Sequence, residues 1–140
     1  MTRRYLVNFD GRRIPWRSAD VLIVGGGVAG LRAAVEAGKR ARVLLVAKRT
    51  LGESNTQLAQ GGVAAALDTG DTVESHVRDT LDAGKGISDP KVVRTVIREG
   101  AARVKELIAW GTKFDRRGGE IHFAREGGHS RARILHAGGD

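Results

Sequence analysis

The chain has 140 residues, 20 of them glycine, no cysteine and a formal net charge of +8. That length fits one domain with a real core, so no disulfide or structural metal is needed, and the lack of cysteine excludes thiol catalysis and CxxC-type zinc sites. The basic balance raises a nucleic-acid reading, but with 4% aromatic residues no basic run alternates with aromatics as a stacking platform requires.

Residues 1–18 form an arginine-rich arm with Pro15 and Trp16, in which Tyr5, Leu6, Val7 and Phe9 make a short strand or an anchor. Arg3 and Arg4 suggest an export signal, yet the apolar run behind them is too short and Asp10 breaks it. No run approaches the roughly 20 apolar residues of a membrane span. The expectation is a cytoplasmic chain with neither membrane nor nucleic-acid partner. Val21, Leu22, Ile23 and Val24 form a continuous apolar run, as in a strand buried on both faces. A helix follows, with Val28, Leu31, Ala34 and Val35 on one face, and Gly38 stops it. Residues 42–46 give a second buried strand. Strand, helix and strand make a βαβ unit, which needs parallel strands.

Residues 50–62 are small and polar without a period, and read as a long functional loop. Ala64 to Leu67 are apolar. A helix starts near Thr72, places Val73, Val77 and Leu81 on one face, and closes at Gly84. Asp89 and Pro90 are an N-cap and a first-turn proline. They open a long amphipathic helix through Val93, Val96, Ile97, Val104, Leu107 and Ile108 that ends at Gly111. Gly100 weakens its middle and offers a point where it splits in two. Arg116 to Glu120 read as a turn between short strands, with Ile121 and Phe123 alternating. Residues 124–140 read as a polar, glycine-rich tail.

Gly25, Gly27 and Gly30 fit GxGxxG, after a strand and at the opening of a helix, which is the dinucleotide fingerprint in its proper context. The first glycine makes the tight turn, the second admits a pyrophosphate to the backbone, and the third lets helix pack on sheet. The helix start supplies N–H donors and a partial positive charge. The acidic ribose ligand usual after the second strand is missing, since Val46 is followed by Ala47, Lys48 and Arg49. Two readings stay open at this point: an NADP site whose basic residues meet a 2′-phosphate, and a flavin site with a different ribose contact.

The loop residues Glu53, Ser54, Asn55 and Thr56, followed by Ala59, Gln60, Gly61 and Gly62, resemble the flavin-binding loop of the succinate dehydrogenase and fumarate reductase flavoprotein superfamily. Ser75-His76-Val77, Asp79-Thr80-Leu81, Ala83-Gly84, Phe114-Asp115, Arg125-Glu126-Gly127-Gly128-His129-Ser130 and Arg133-Ile134-Leu135-His136-Ala137 resemble its L-aspartate oxidase family. The resemblance runs from about residue 20 to residue 140. It implies an α/β, Rossmann-like FAD-binding domain over residues 19–140, incomplete, with the start of the capping or substrate region and the remainder outside this chain. It implies that Gly25, Gly26, Gly27, Val28, Ala29 and Gly30 hold the FAD pyrophosphate and that Lys48 lies on the adenosine side. Asn55, Thr56, Gln57, Leu58, Ala59, Gln60, Gly61 and Gly62 would wrap the flavin. In respiratory relatives a histidine of this loop bonds covalently to flavin; Asn55 stands there, and an amide cannot form that bond, so the FAD is expected to be non-covalent.

Glu126 matches the family glutamate that orients the amino group of L-aspartate, and a carboxylate disfavours succinate, which lacks that group. The plain alternative is a surface pair with Arg125 or Arg131. His129 and Ser130 are assigned to the substrate side, and His136 either lines the site or orders a turn. His76 reads as structural and His122 as solvent-facing. The resemblance implies oxidation of L-aspartate to iminoaspartate, with oxygen or fumarate as acceptor and hand-off to a quinolinate synthase. It places the proton-transferring arginine beyond residue 140, so no catalytic residue is expected within the chain, and no metal. The alternatives are a fumarate reductase-like or succinate dehydrogenase-like segment, against which Asn55 and Glu126 argue, and a non-enzymatic FAD-binding or nucleic-acid-binding module. The acidic stretch 61–90 argues against nucleic acid.

Overall fold

The computed structural model describes residue 10 and residues 12–59 and 61–138. The strand or anchor expected at Tyr5, Leu6, Val7 and Phe9 lies outside the described residues, as does Gln60. The chain divides into two compact units, the first ending at Ala59.

In the first unit, β1 (Val21–Val24) and β2 (Val43–Val46) pair in parallel, with Val21 opposite Val43 and Val24 opposite Val46. Between them in sequence runs α1 (Val28–Ala37), which Gly38 caps by donating its N–H to the Ala34 carbonyl. Asp20 fastens the strand ends by accepting from the Arg42 backbone N–H and guanidinium at 2.8 and 3.2 Å. These bonds, the side-chain pair first, hold the Asp20 carboxyl below its ordinary range. The expectation of burial on both faces fails: Leu22 is 61% and Val24 80% exposed, while Ile23 between them is partly covered. An unbroken apolar run marks a strand but does not say how many layers cover it. The 50–62 loop also contains one helical turn, α2 (Asn55–Leu58), whose N-cap Ser54 accepts from the Gln57 N–H.

In the second unit, β3 (Val63–Ala64) leads to α3 (Val73–Gly84), capped by Thr72, and α4 (Pro90–Ala109), capped by Asp89. The Asp89 carboxylate accepts from the Lys91 N–H at 2.7 Å, so the Asp-Pro signal marks the start of this helix. α3 ends with Gly84 as its last residue and Lys85 as its cap, in the left-handed region at φ 48°. α4 runs unbroken through Gly100, because packing of an amphipathic face outweighs one residue's propensity. A Cβ placed on Gly100 meets nothing within 4 Å. Gly100→Ala is therefore expected to stabilise the chain by about 0.5–1 kcal/mol, measurable as a raised midpoint in urea.

A hairpin of β4 (Arg116–Arg117) and β5 (Glu120–Ile121) follows, as the alternation implied. His122 is exposed beside it. The supposed tail contains β6 (Ile134–Leu135), which pairs antiparallel with β3. Leu135 is fully buried with Ala65, Val104 and Phe114, and Leu67, Ile108, Ile121 and Phe123 pack on them. No helix of the described residues is long and apolar enough to cross a membrane.

Candidate functional site

The glycine turn of the first unit is built around one close approach. Gly25 turns at φ +112°, and its N–H donates to the Val46 carbonyl at 2.8 Å. A Cβ on Gly30 would stand 2.0 Å from the Gly25 carbonyl oxygen, far inside contact distance, so only glycine lets the helix sit this close to the turn. Gly26 is buried, against Leu51 and Ala47.

The start of α1 is left open to an anion. Gly27 is the N-cap and offers no side chain, and no acidic residue occupies the first turn. The Val28 N–H donates to the Thr56 hydroxyl at 3.1 Å. The helix geometry leaves the N–H groups of Ala29 and Gly30 without an intrahelical acceptor. Thr56 thus joins the glycine turn to the 50–62 loop, a role the sequence did not signal. Beyond β2, Lys48 is exposed, and Arg49 pairs with Glu53 at 3.4 Å. Asn55, Gln57, Leu58 and Ala59 are exposed along α2 and its end. A bare glycine turn, donor N–H groups and a basic residue after the second strand suit a dinucleotide pyrophosphate.

In the second unit the 125–130 motif hangs on a buried ion cluster. Arg133 is 0% exposed. Its guanidinium donates Nε to Asp71 Oδ2 at 2.7 Å, Nη2 to Asp71 Oδ1 at 2.8 Å, and Nη1 to Asp79 Oδ2 at 2.5 Å. It also reaches the Ser75 hydroxyl at 3.1 Å and His129 Nδ1 at 3.2 Å. A guanidinium has no lone pair to offer, so His129 Nδ1 accepts and the ring proton sits on Nε2.

Asp79 also accepts from the backbone N–H and the hydroxyl of Ser130, each at 2.8 Å. Burial pushes the Asp79 carboxyl up, but the Ser130 donors and Arg133 outweigh it and bring it down to about 2. Burial likewise raises Asp71, and Arg133 with the Thr72 N–H brings it below its usual range. Asp71 bonding raises Arg133 against its own burial. His76, beside this cluster, is 7% exposed, and its Nδ1 has no partner. Burial first, then the charges of Arg133 and His129, push it below the ordinary histidine value. It stands as a buried group, in keeping with its structural reading.

Of the expected substrate-side residues, Ser130 turns to Asp79 and His129 to Arg133. Glu126 stands apart and exposed, and its carboxylate accepts from His136 Nε2 at 3.1 Å rather than pairing with Arg125 or Arg131. Sequence reasoning missed Asp71, and gave Asp79 and Arg133 no role beyond the motifs in which they stand. A further signal was Ser75 and Asp79 four apart on α3, which places them on one helix face.

A parallel β-strand, glycine turn, helix and second strand with an open helix start define an α/β dinucleotide-binding protein. Residues 20–140 match the FAD binding domain, and the chain belongs to that family. It is 51% identical over 119 residues to the chloroplastic L-aspartate oxidase of Arabidopsis thaliana, covering 84% of this chain and 18% of that protein. It is 50% identical over 125 residues to the L-aspartate oxidase of Streptomyces coelicolor, covering 88% of this chain and 22% of that one. Among solved structures it is similar to the apo Sdh1 complex of Mycobacterium smegmatis, with a TM-score of 0.79 and 38% identity over 86% of this chain and 21% of that one. It is also similar to an E. coli quinol fumarate reductase, with a TM-score of 0.77 and 34% identity over 84% and 21% of the two chains. The chain spans about a fifth of the length of these relatives.

Proposed function

We propose that this chain supplies the FAD grip and the ammonium anchor of an L-aspartate oxidase, which converts L-aspartate to iminoaspartate. The observation that carries the reading is the exposed Glu126 carboxylate, held by a histidine and not by a neighbouring arginine. An anchored carboxylate attracts the α-ammonium of L-aspartate, and succinate has no such group to offer. The relatives named as L-aspartate oxidases support this choice of substrate.

In this reading the open N–H groups of Ala29 and Gly30 hold the pyrophosphate, with Gly25, Gly26, Gly27 and Val28 lining it. Lys48 serves the adenosine side. Asn55, Thr56, Gln57, Leu58, Ala59, Gln60, Gly61 and Gly62 cover the flavin, and Asn55 leaves the cofactor non-covalent. Bound FAD supplies the two-electron acceptor for amine oxidation. Glu126 orients the substrate nitrogen, His129 presents its Nε2 proton on the substrate side, and Ser130 braces the motif through Asp79. Residues 19–140 belong to the FAD-binding domain and include the start of the capping, substrate-facing region. No residue of this chain is assigned the proton transfer. Fumarate fits as final acceptor alongside oxygen, in keeping with the fumarate reductase neighbour, and iminoaspartate would pass to a quinolinate synthase.

The test is ligand binding to the FAD-loaded protein, read from the flavin spectrum. L-aspartate is expected to bind more tightly than succinate, and Glu126→Gln to weaken L-aspartate by about tenfold or more, the scale of a charge-assisted hydrogen bond. A preference for succinate that Glu126→Gln leaves unchanged would instead indicate the fumarate reductase-like reading.

A further inference from the structure

Glu126 is half exposed, and its side chain is long enough to sample many rotamers, so something must hold it if it is to orient a ligand. His136 has the right surroundings. It directly follows β6, its carbonyl accepts from the Asp115 N–H at 2.8 Å, and its side chain is only 19% exposed. One side of the ring carries the Nε2 that reaches Glu126. The ring carbon next to that nitrogen lies against Gly62, where a Cβ would stand 3.1 Å from His136 Cδ2. The same Cβ would stand 2.4 Å from Ile134 Cγ2 and 2.5 Å from the Leu135 carbonyl oxygen. The missing side chain at Gly62 is therefore what lets the backbone at this position pack against β6 and the ring.

We propose that His136 is a positioning residue for substrate selection: seated on Gly62, it donates its Nε2 proton to Glu126 and aims that carboxylate at the substrate ammonium. The proposal rests on the L-aspartate reading above. A carboxylate accepts only, so Nε2 bears the proton in this pair. The ring is fixed by the strand and the glycine, and Glu126 inherits that order at little entropic cost. Succinate makes no use of Glu126, so the orientation matters for one ligand and not for the other. Gly62 seats the ring, and the ring holds the carboxylate.

Two substitutions separate positioning from packing. His136→Phe keeps a ring and loses the donor; His136→Gln keeps an N–H donor. In the FAD-loaded protein His136→Phe is expected to weaken L-aspartate by about fivefold to tenfold, the scale of one lost hydrogen bond, and to leave succinate unchanged. His136→Gln is expected to restore the L-aspartate preference. The 13C resonance of the Glu126 carboxylate should move in His136→Phe and return toward its original position in His136→Gln, with no substrate present. Equal weakening of both ligands, no weakening, or a Gln variant that behaves like Phe would overturn the proposal. A Glu126 resonance indifferent to His136→Phe would overturn it even without ligand. A carboxylate shift in His136→Phe, together with wild-type protein that shows no preference for L-aspartate, would leave the pair standing and refute the substrate reading instead.

Discussion

Gly30→Ala is expected to weaken FAD binding by at least about tenfold, or 1.4 kcal/mol, although it adds a single methyl group. The new Cβ would lie 2.0 Å from the Gly25 carbonyl oxygen and 3.0 Å from its carbon. Both are backbone atoms, so no rotamer change relieves the overlap. Either α1 lifts off β1 or the Gly25 turn rearranges, and each displaces the N–H groups that face the pyrophosphate. Overpacked cores commonly lose about 1–3 kcal/mol, and this contact is closer than most. Gly100→Ala is the matched control, since it adds the same methyl group in open space. Isotherms for FAD on the two variants, with their urea midpoints, decide the point: equal affinities would remove the steric basis assigned to the third glycine.

The second large effect concerns Arg133. Its removal leaves Asp71 and Asp79, themselves 1% and 12% exposed, without their counter-charge. Breaking a buried pair from one side costs about 3–5 kcal/mol, against a total stability of about 5–15 kcal/mol for a domain. Arg133→Met is therefore expected to unfold much of the second unit at neutral pH. Acid gives the sign of the effect. The Asp79 carboxyl is lowered to about 2 in the folded chain, so its contribution, of order 2 kcal/mol, is complete above the unfolded value near 4. It is lost as the pH falls through about 2. In Arg133→Met the stranded carboxylates favour protonation, so acid relieves the variant while it weakens the parent. Stability curves of the two proteins should converge between about pH 4 and 2; curves that stay parallel would mean the cluster is not held by charge.

The parts of the fold that could be read in advance are local. β1, the glycine turn, α1 and β2 follow from an apolar run, three glycines and a helical period within about 30 residues. The limits of α4 follow from Asp89-Pro90 at one end and Gly111 at the other. What escaped depends on partners distant in sequence. Arg133 stands in a motif that the resemblance marks, but its role stays hidden because its acceptors lie 54 and 62 residues away. β6 is two residues long and acquires its burial only by pairing with β3. Thr56 meets Val28 across 28 residues, and no period marks that contact. The exposed Leu22 and Val24 show the converse: composition named the strand but not the layer that covers it. At the site, the resemblance singled out Glu126 and left His136 between lining the site and ordering a turn; their pairing shows only in the fold.

The FAD grip is tested most directly by equilibrium titration of the purified protein with FAD, followed by acid precipitation. Saturable binding is expected, with all of the flavin released into the supernatant. A protein that takes up no FAD, or whose flavin stays with the precipitated chain, would contradict the non-covalent site assigned to Gly25, Gly27, Gly30 and Asn55.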